Sequence, residues 1–235
     1  MNRVEDSHFW YQGMRKITQS VLNKFIAKKN NFILDAGCGT GANLIFLKKY
    51  GRAVGVDISS QAVKFCHLKG INEVKRGSVN RLPYSNRSFD LVTCFDVLGQ
   101  KHVDDKKAIS ELYRVTKPGG YIFLRIAAYP FLYSLHDRLV SNEKRYNKDD
   151  FLRIIASKKI SLLKISYVNM FLFPAIALKR ILFKFKTGRQ SDVFLLPGWL
   201  NNVLLIPLLI EAWLIKYFDF PFGLSLVALV RKERD

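Results

Sequence analysis

The chain has 235 residues, 49% of them hydrophobic, and a formal net charge of +19. That is enough apolar material for one sizeable core, which excludes a disordered or low-complexity chain and predicts a single domain over residues 1–235. Cys38, Cys66 and Cys94 stand apart with no C-x-x-C pair, and the four histidines lack ligand spacing, so neither a disulfide frame nor a metal site is expected.

In chain order, the start has no apolar signal region, so a reducing cytoplasm is the expected location, and a helix is expected over about residues 10–28. An apolar stretch at 31–34 reads as a strand. It runs into Asp35-Ala36-Gly37-Cys38-Gly39-Thr40-Gly41, after which residues 42–50 carry a helical pattern. A strand, a turn with glycines two apart and a helix form a nucleotide-cofactor loop, because glycine permits the tight turn and lets backbone N–H groups approach a ligand closely. The spacing differs from the dinucleotide pattern G-x-G-x-x-G. A carboxylate before the first glycine would repel a pyrophosphate but suits a ligand bearing an ammonium group, which points to S-adenosylmethionine. Residues 54–57 read as a second buried strand ending in Asp57, sixteen residues beyond Gly41, where an acid can accept both hydroxyls of a ribose. A bare Gly-rich turn with a surface Asp is the competing interpretation, and the second acid in the right place weakens it.

Further strands near Val74, Leu91 and Phe123 alternate with helices, which implies a parallel sheet covered on both faces. After Tyr129 the pattern changes. Residues 147–150 look like a helix start with a charged first turn, residues 160–168 like a sixth strand, and Pro221-Phe222-Gly223 introduces a last strand at 224–230. Between those two strands, roughly at 171–220, lies an apolar and basic insert. From residue 151 to 190 there are nine Lys or Arg and no Asp or Glu. As a helix, Leu178, Ile181, Leu182 and Phe185 form one stripe flanked by Lys179, Arg180, Lys184 and Lys186, the kind of face an anionic membrane attracts. The apolar run at 193–218 contains Pro197, Asn201, Asn202, Pro207, Glu211 and Lys216, which argues against spanning a bilayer. It reads as a helix lying on the surface or covering an acceptor pocket, unless both helices simply pack on the sheet with solvated charge.

The motifs resemble the class I S-adenosylmethionine-dependent methyltransferases of small molecules (types 11 and 12), over about residues 5–232. Ile33-Leu34-Asp35-Ala36-Gly37-Cys38-Gly39-Thr40-Gly41 is similar to the cofactor loop and Val56-Asp57-Ile58-Ser59 to the ribose-binding strand end. Gly77-Ser78-Val79 with Leu82-Pro83-Tyr84 and Phe89-Asp90-Leu91-Val92 resembles the adenine segment and fourth strand, and residues 111–120 resemble the helix and turn feeding the fifth. The resemblance implies a Rossmann-like, seven-stranded, mostly parallel sheet with an antiparallel last strand, helices on both faces and a helical insert before that strand. It assigns cofactor contacts to Asp35, Gly37, Cys38, Gly39, Gly41, Asp57, Ile58, Ser78, Val79, Phe95 and Asp96. Ser78 departs from the acid usual at its position. Glu5-Asp6-Ser7-His8-Phe9-Trp10-Tyr11 and Arg15 look like a lid within residues 1–30, with Tyr11 covering the cofactor and Arg15 pairing with its carboxylate, or else a helix packing its aromatics on the sheet.

Methyl transfer asks mainly for alignment, plus a base when the acceptor is a hydroxyl. His102, past the fourth strand, is one candidate base, or only a helix cap. The first choice is His136, in a segment resembling Ser-x-His-Asp…Arg-Tyr, with Tyr133, Asp137, Arg145 and Tyr146 as acceptor-binding residues. Asp137 either holds the imidazole in one tautomer or, with His136, supports the loop. The insert favours a small-molecule or lipid-like acceptor and peripheral contact with an anionic inner membrane surface. Nucleic acid is disfavoured despite the charge, because the fourth strand ends in Phe95-Asp96-Val97-Leu98 rather than the Asn/Asp-Pro-Pro-Tyr/Phe run of base methyltransferases. An RNA or protein methyltransferase, and a catalytically silent cofactor-binding scaffold on a membrane complex, remain the alternatives.

Overall fold

The computed structural model describes residues 7–26, 30–156, 158–182 and 196–234. Its centre is a seven-stranded sheet in the order β3-β2-β1-β4-β5-β7-β6. The strands are β1 (Asn31–Ala36), β2 (Gly51–Asp57), β3 (Val74–Arg76), β4 (Phe89–Phe95), β5 (Thr116–Ala127), β6 (Ile160–Val168) and β7 (Ser225–Lys232). β1 pairs parallel with β2 and β4, and β4 pairs parallel with β5, whereas β7 runs antiparallel to both β5 and β6. This is the expected architecture, and β6 falls on the residues read from the sequence. The central strands are near-continuous apolar runs, as a sheet covered on both faces requires: Ile33, Leu34, Phe89, Leu91, Val92, Phe123, Leu124 and Leu226 are all buried.

Eight α-helices are described: α1 (Phe9–Phe25), α2 (Ala42–Leu47), α3 (Ser60–Leu68), α4 (Asp105–Val115), α5 (Leu135–Leu139), α6 (Lys148–Ile155), α7 (Phe173–Leu182) and α8 (Gly198–Leu214). Asp104, not His102, caps α4, its carboxylate accepting from Lys107 N–H at 3.1 Å. Within the insert, Leu178, Ile181 and Leu182 of α7 are exposed rather than packed on the sheet. Phe185, Lys184 and Lys186 of the expected stripe lie outside the described residues, as do Glu5 and Asp6 of the expected lid.

α1 and α8 lie side by side and run in the same direction. At one end Phe9 N–H donates to Asn201 Oδ1 at 2.7 Å, and at the other Lys24 Nζ donates to the Lys216 carbonyl at 2.8 Å. Gly13 allows the approach, since a Cβ there would stand 2.6 Å from Leu208 Cβ. Glu211, charged and in the middle of the apolar run, is fully buried. Its carboxylate accepts from Asn169 N–H at 2.7 Å and Phe171 N–H at 2.9 Å, fixing α8 to the chain leaving β6. Burial raises its pKa against the pull of those donors. Among the described residues no helix is long and apolar enough to cross a membrane.

Candidate active site

β1 is the switch point of the sheet, because β2 continues to one side of it and β4 to the other. The crevice beyond the carboxyl ends of such strands is where α/β sheets bind ligands. The loop at 37–41 fills that position. Gly37, Gly39 and Gly41 have φ of +85°, +53° and +85°, the left-handed region that disfavours any Cβ. Gly37 and Cys38 N–H both donate to the Val56 carbonyl, at 2.7 and 3.0 Å, which locks the loop over β2. Nothing stands within 4 Å of where a Gly39 Cβ would be, so here the backbone faces open space. Cys38 is buried, with its side chain turned under the loop toward Gly55, and therefore offers a ligand only its backbone.

Asp57 ends β2 at the loop. Its Oδ2 accepts from Gly39 N–H and its Oδ1 from Ser59 N–H, both at 2.8 Å. A carboxylate has about four acceptor sites, so the group is rigidly aimed and still able to take two hydroxyls. Ile58 beside it is 61% exposed, an uncovered apolar surface at the mouth of the crevice. Gly77 N–H donates to the Asp57 carbonyl at 2.9 Å and brings the next segment alongside. There the Ser78 hydroxyl accepts from Asn80 N–H at 3.2 Å and keeps its own proton to donate. The Val79 side chain is in the core, leaving only its backbone for recognition.

Asp35 is the unusual group. It is fully buried at the end of β1; Oδ1 accepts from Thr93 Oγ1 at 2.8 Å, while Oδ2 has no hydrogen-bond partner. Burial raises its pKa from 3.8 to about 7, with the Thr93 bond and the Arg125 charge pulling the other way. An acid left half-satisfied beneath a glycine loop fits a ligand that brings a positive charge to it. The residues of this loop therefore suit S-adenosylmethionine, a ligand that carries both an ammonium group and a ribose diol.

Beyond β4, Asp96 holds a left-handed φ of +58° and Tyr129, beyond β5, one of +59°. Strained non-glycine residues cluster at ligand sites, and these two flank the crevice. Asp96 is paired with Arg125 of β5, whose Nε donates to Oδ2 at 2.8 Å. The Arg125 guanidinium is buried between the rings of Trp10 and Phe95, at 5.4 and 4.9 Å. Phe95 is buried in that stack, so its side chain is part of the wall. Arg125 was not among the expected residues. A cation inside the run Phe123-Leu124-Arg125-Ile126 was the available signal, as was Thr93 inside β4. Tyr11 and Arg15 are half-buried on α1, the helix that also supplies Trp10.

The structure separates the two candidate bases. His102 is exposed on a left-handed turn (φ +69°), with its carbonyl accepting from Asn80 Nδ2 at 2.9 Å. His136 is half-buried on α5. Asp137 next to it does not serve as the expected acceptor-binding group. It is fully buried, accepting from Ser134 N–H at 2.9 Å, from Asn142 Nδ2 at 3.0 Å and from Arg145 Nε at 2.9 Å, with Arg180 Nη1 3.6 Å away. Burial pushes its pKa up, but Arg145, Asn142 and Arg180 together hold it below the ordinary value. Arg145, besides this pair, donates to the Ala128 carbonyl at 2.9 Å, and the buried Tyr146 hydroxyl donates to the Leu98 carbonyl at 3.0 Å. Those three side chains brace the segment after β5. Tyr133 is half-buried at its surface, whereas the Arg145 side chain, 4% exposed, is enclosed with Asp137.

An open hollow lined by Asn31, Phe32, Lys48, Gly51 and Arg52 lies at the opposite, amino end of β1 and β2 and shares nothing with this crevice. Among the described residues no group of His, Cys, Asp and Glu is placed to hold a metal ion.

Residues 34–124 match the family model of a methyltransferase domain. With the strand order above, this stretch carries the Rossmann-like methyltransferase fold, whose sheet is completed by β6 and β7. The chain is 31% identical over 166 residues to an uncharacterized methyltransferase of Schizosaccharomyces pombe, covering 61% of this chain and 58% of that protein. It is 35% identical over 103 residues to a demethylmenaquinone methyltransferase of Lactiplantibacillus plantarum, covering 39% and 43%. It thus spans about half the length of these two relatives. Among solved structures it resembles the geranyl diphosphate C-methyltransferase of Streptomyces coelicolor in complex with S-adenosylhomocysteine, with a TM-score of 0.61, 13% identity and coverage of 93% and 76%.

Proposed function

We propose that the chain binds S-adenosylmethionine in this crevice and transfers its methyl group to a small-molecule or lipid-like acceptor. The observation that carries the proposal is the buried Asp35 carboxylate, with one oxygen unpartnered, beneath a left-handed glycine loop and beside the fixed Asp57. The bound sulfonium supplies an already activated methyl group. The protein's part is to place it. Asp57 accepts from the ribose hydroxyls, Ile58 and Ser78 meet the adenine, Asp35 takes the ammonium and Arg15 the carboxylate, while Trp10 and Arg125 wall the crevice. Alignment of the acceptor against the methyl group supplies much of the rate. Where the acceptor atom carries a proton, His136 removes it, and Tyr133 lines the approach. The likeness to a demethylmenaquinone methyltransferase supports an apolar acceptor.

Calorimetric titration with S-adenosylmethionine and S-adenosylhomocysteine tests the cofactor. Removing the two charge-assisted ribose bonds in Asp57→Ala is expected to weaken binding by about a hundredfold or more. No binding by the wild-type chain at millimolar ligand overturns the proposal. A His136→Ala loss of about a hundredfold or more in kcat, with cofactor affinity kept, identifies the base; an unchanged kcat removes His136 from the reaction.

A further inference from the structure

The outer face of α8 has no protein partner among the described residues and no charge. Trp199, Val203, Ile206, Ile210, Trp213 and, just beyond the helix, Tyr217 recur at intervals of three or four. They are 70%, 52%, 54%, 46%, 59% and 65% exposed. This is one helical stripe, and it points away from the protein, because the opposite stripe of Leu208, Glu211, Ala212 and Ile215 is buried. The only charged residue of α8 is Glu211, and it is engaged in the interior. A surface helix of a soluble protein normally shows charged or polar residues to water, and an unbroken apolar face marks an interaction site.

We infer that α8 is a membrane-docking helix that lies along an anionic bilayer surface with this stripe immersed in the headgroup region. Three features select that occupant. Tryptophan and tyrosine stand at the two ends of the stripe, and these amphipathic rings prefer the membrane–water interface. Pro197 opens the helix and Pro207 lies within it, and at 17 residues it is too short to cross, so it lies flat. The third feature is charge. A chain with +19 repels a second copy of itself and is attracted to anionic headgroups. The Lys24 ammonium reaches the Lys216 carbonyl at the carboxyl end of the helix, just past Trp213 and before Tyr217. Docking by α8 also places the amino end of α1, with Trp10 over the crevice, next to the membrane, because Asn201 binds Ser7 and Phe9 there.

The test is flotation of the full chain with vesicles of phosphatidylcholine alone and of phosphatidylcholine with about a third phosphatidylglycerol, alongside sedimentation without lipid. Binding to the anionic vesicles is expected, with Ile206→Glu and Trp213→Glu each weakening it about tenfold or more. Both residues are exposed, so folding is kept, and calorimetric binding of S-adenosylhomocysteine verifies this independently of the membrane. The docking and the methyl transfer can thus fail separately. No flotation with anionic vesicles overturns the proposal. So does binding that the two substitutions leave unchanged, since charge alone would then explain it. A dimer that these substitutions dissociate, without vesicle binding, assigns the face to a second copy instead.

Discussion

Cofactor binding at Asp35 is expected to release a proton. Its carboxyl is held near pH 7 because burial outweighs the Thr93 bond and the Arg125 charge, whereas in the unfolded chain it titrates near 3.8. Above pH 7 the folded chain carries an ionised acid at a cost of about 4 kcal/mol. The folded state binds more protons than the unfolded one between those two values. Stability of the ligand-free protein therefore falls as pH rises from 3.8 through about 7 and levels off above. An ammonium group brought to Oδ2 favours the charged form, draws the pKa down and expels the proton. At about pH 6 a group titrating near 7 is protonated in about nine molecules of ten, so binding should release about 0.9 proton, falling to about 0.5 near pH 7. Calorimetric titration with S-adenosylhomocysteine in buffers of different ionisation enthalpy counts those protons. Asp35→Asn should abolish the release, weaken binding and flatten the pH dependence of unfolding between 4 and 7. If wild type and Asp35→Asn release the same number of protons at about pH 6, the reasoning is refuted.

Two further outcomes follow from the buried acids that the chemistry does not use. Glu211→Leu strands the Asn169 and Phe171 N–H groups and should cost about 2–6 kcal/mol in urea unfolding; a loss under about 1 kcal/mol would show that the bonds are not what holds α8. Asp137→Asn leaves Arg145 and Arg180 without their buried counter-charge and should cost about 3–5 kcal/mol at neutral pH. Because the Asp137 pKa is depressed, that stabilisation is present above 3.8 and lost as pH falls below it. Unchanged stability with a raised KM for the acceptor would return Asp137 to the binding site.

The sequence by itself determined the sheet's strands and the glycine loop that follows β1. Those signals are local: apolar runs of strand length mark β1, β4 and β6, and three left-handed turns in five residues require glycine at 37, 39 and 41 whatever the rest of the chain does. Asp57 was legible for the same reason, as the last residue of a short buried strand. What tertiary structure decided is which polar groups meet. His136 and Asp137 are adjacent in sequence, yet the Asp137 carboxylate is taken by Ser134, Asn142 and Arg145 from the flanking chain and by Arg180 of α7. Arg125 reads as an oddity inside β5 until Asp96, Trp10 and Phe95 are gathered around it. The run at 193–218 is apolar on nearly every side, so no periodicity tells its inner face from its outer one. That was settled by Gly13, which admits Leu208, and by the burial of Glu211 under the turn after β6. Packing sealed one side of α8 and left Trp199, Ile206 and Trp213 facing outward.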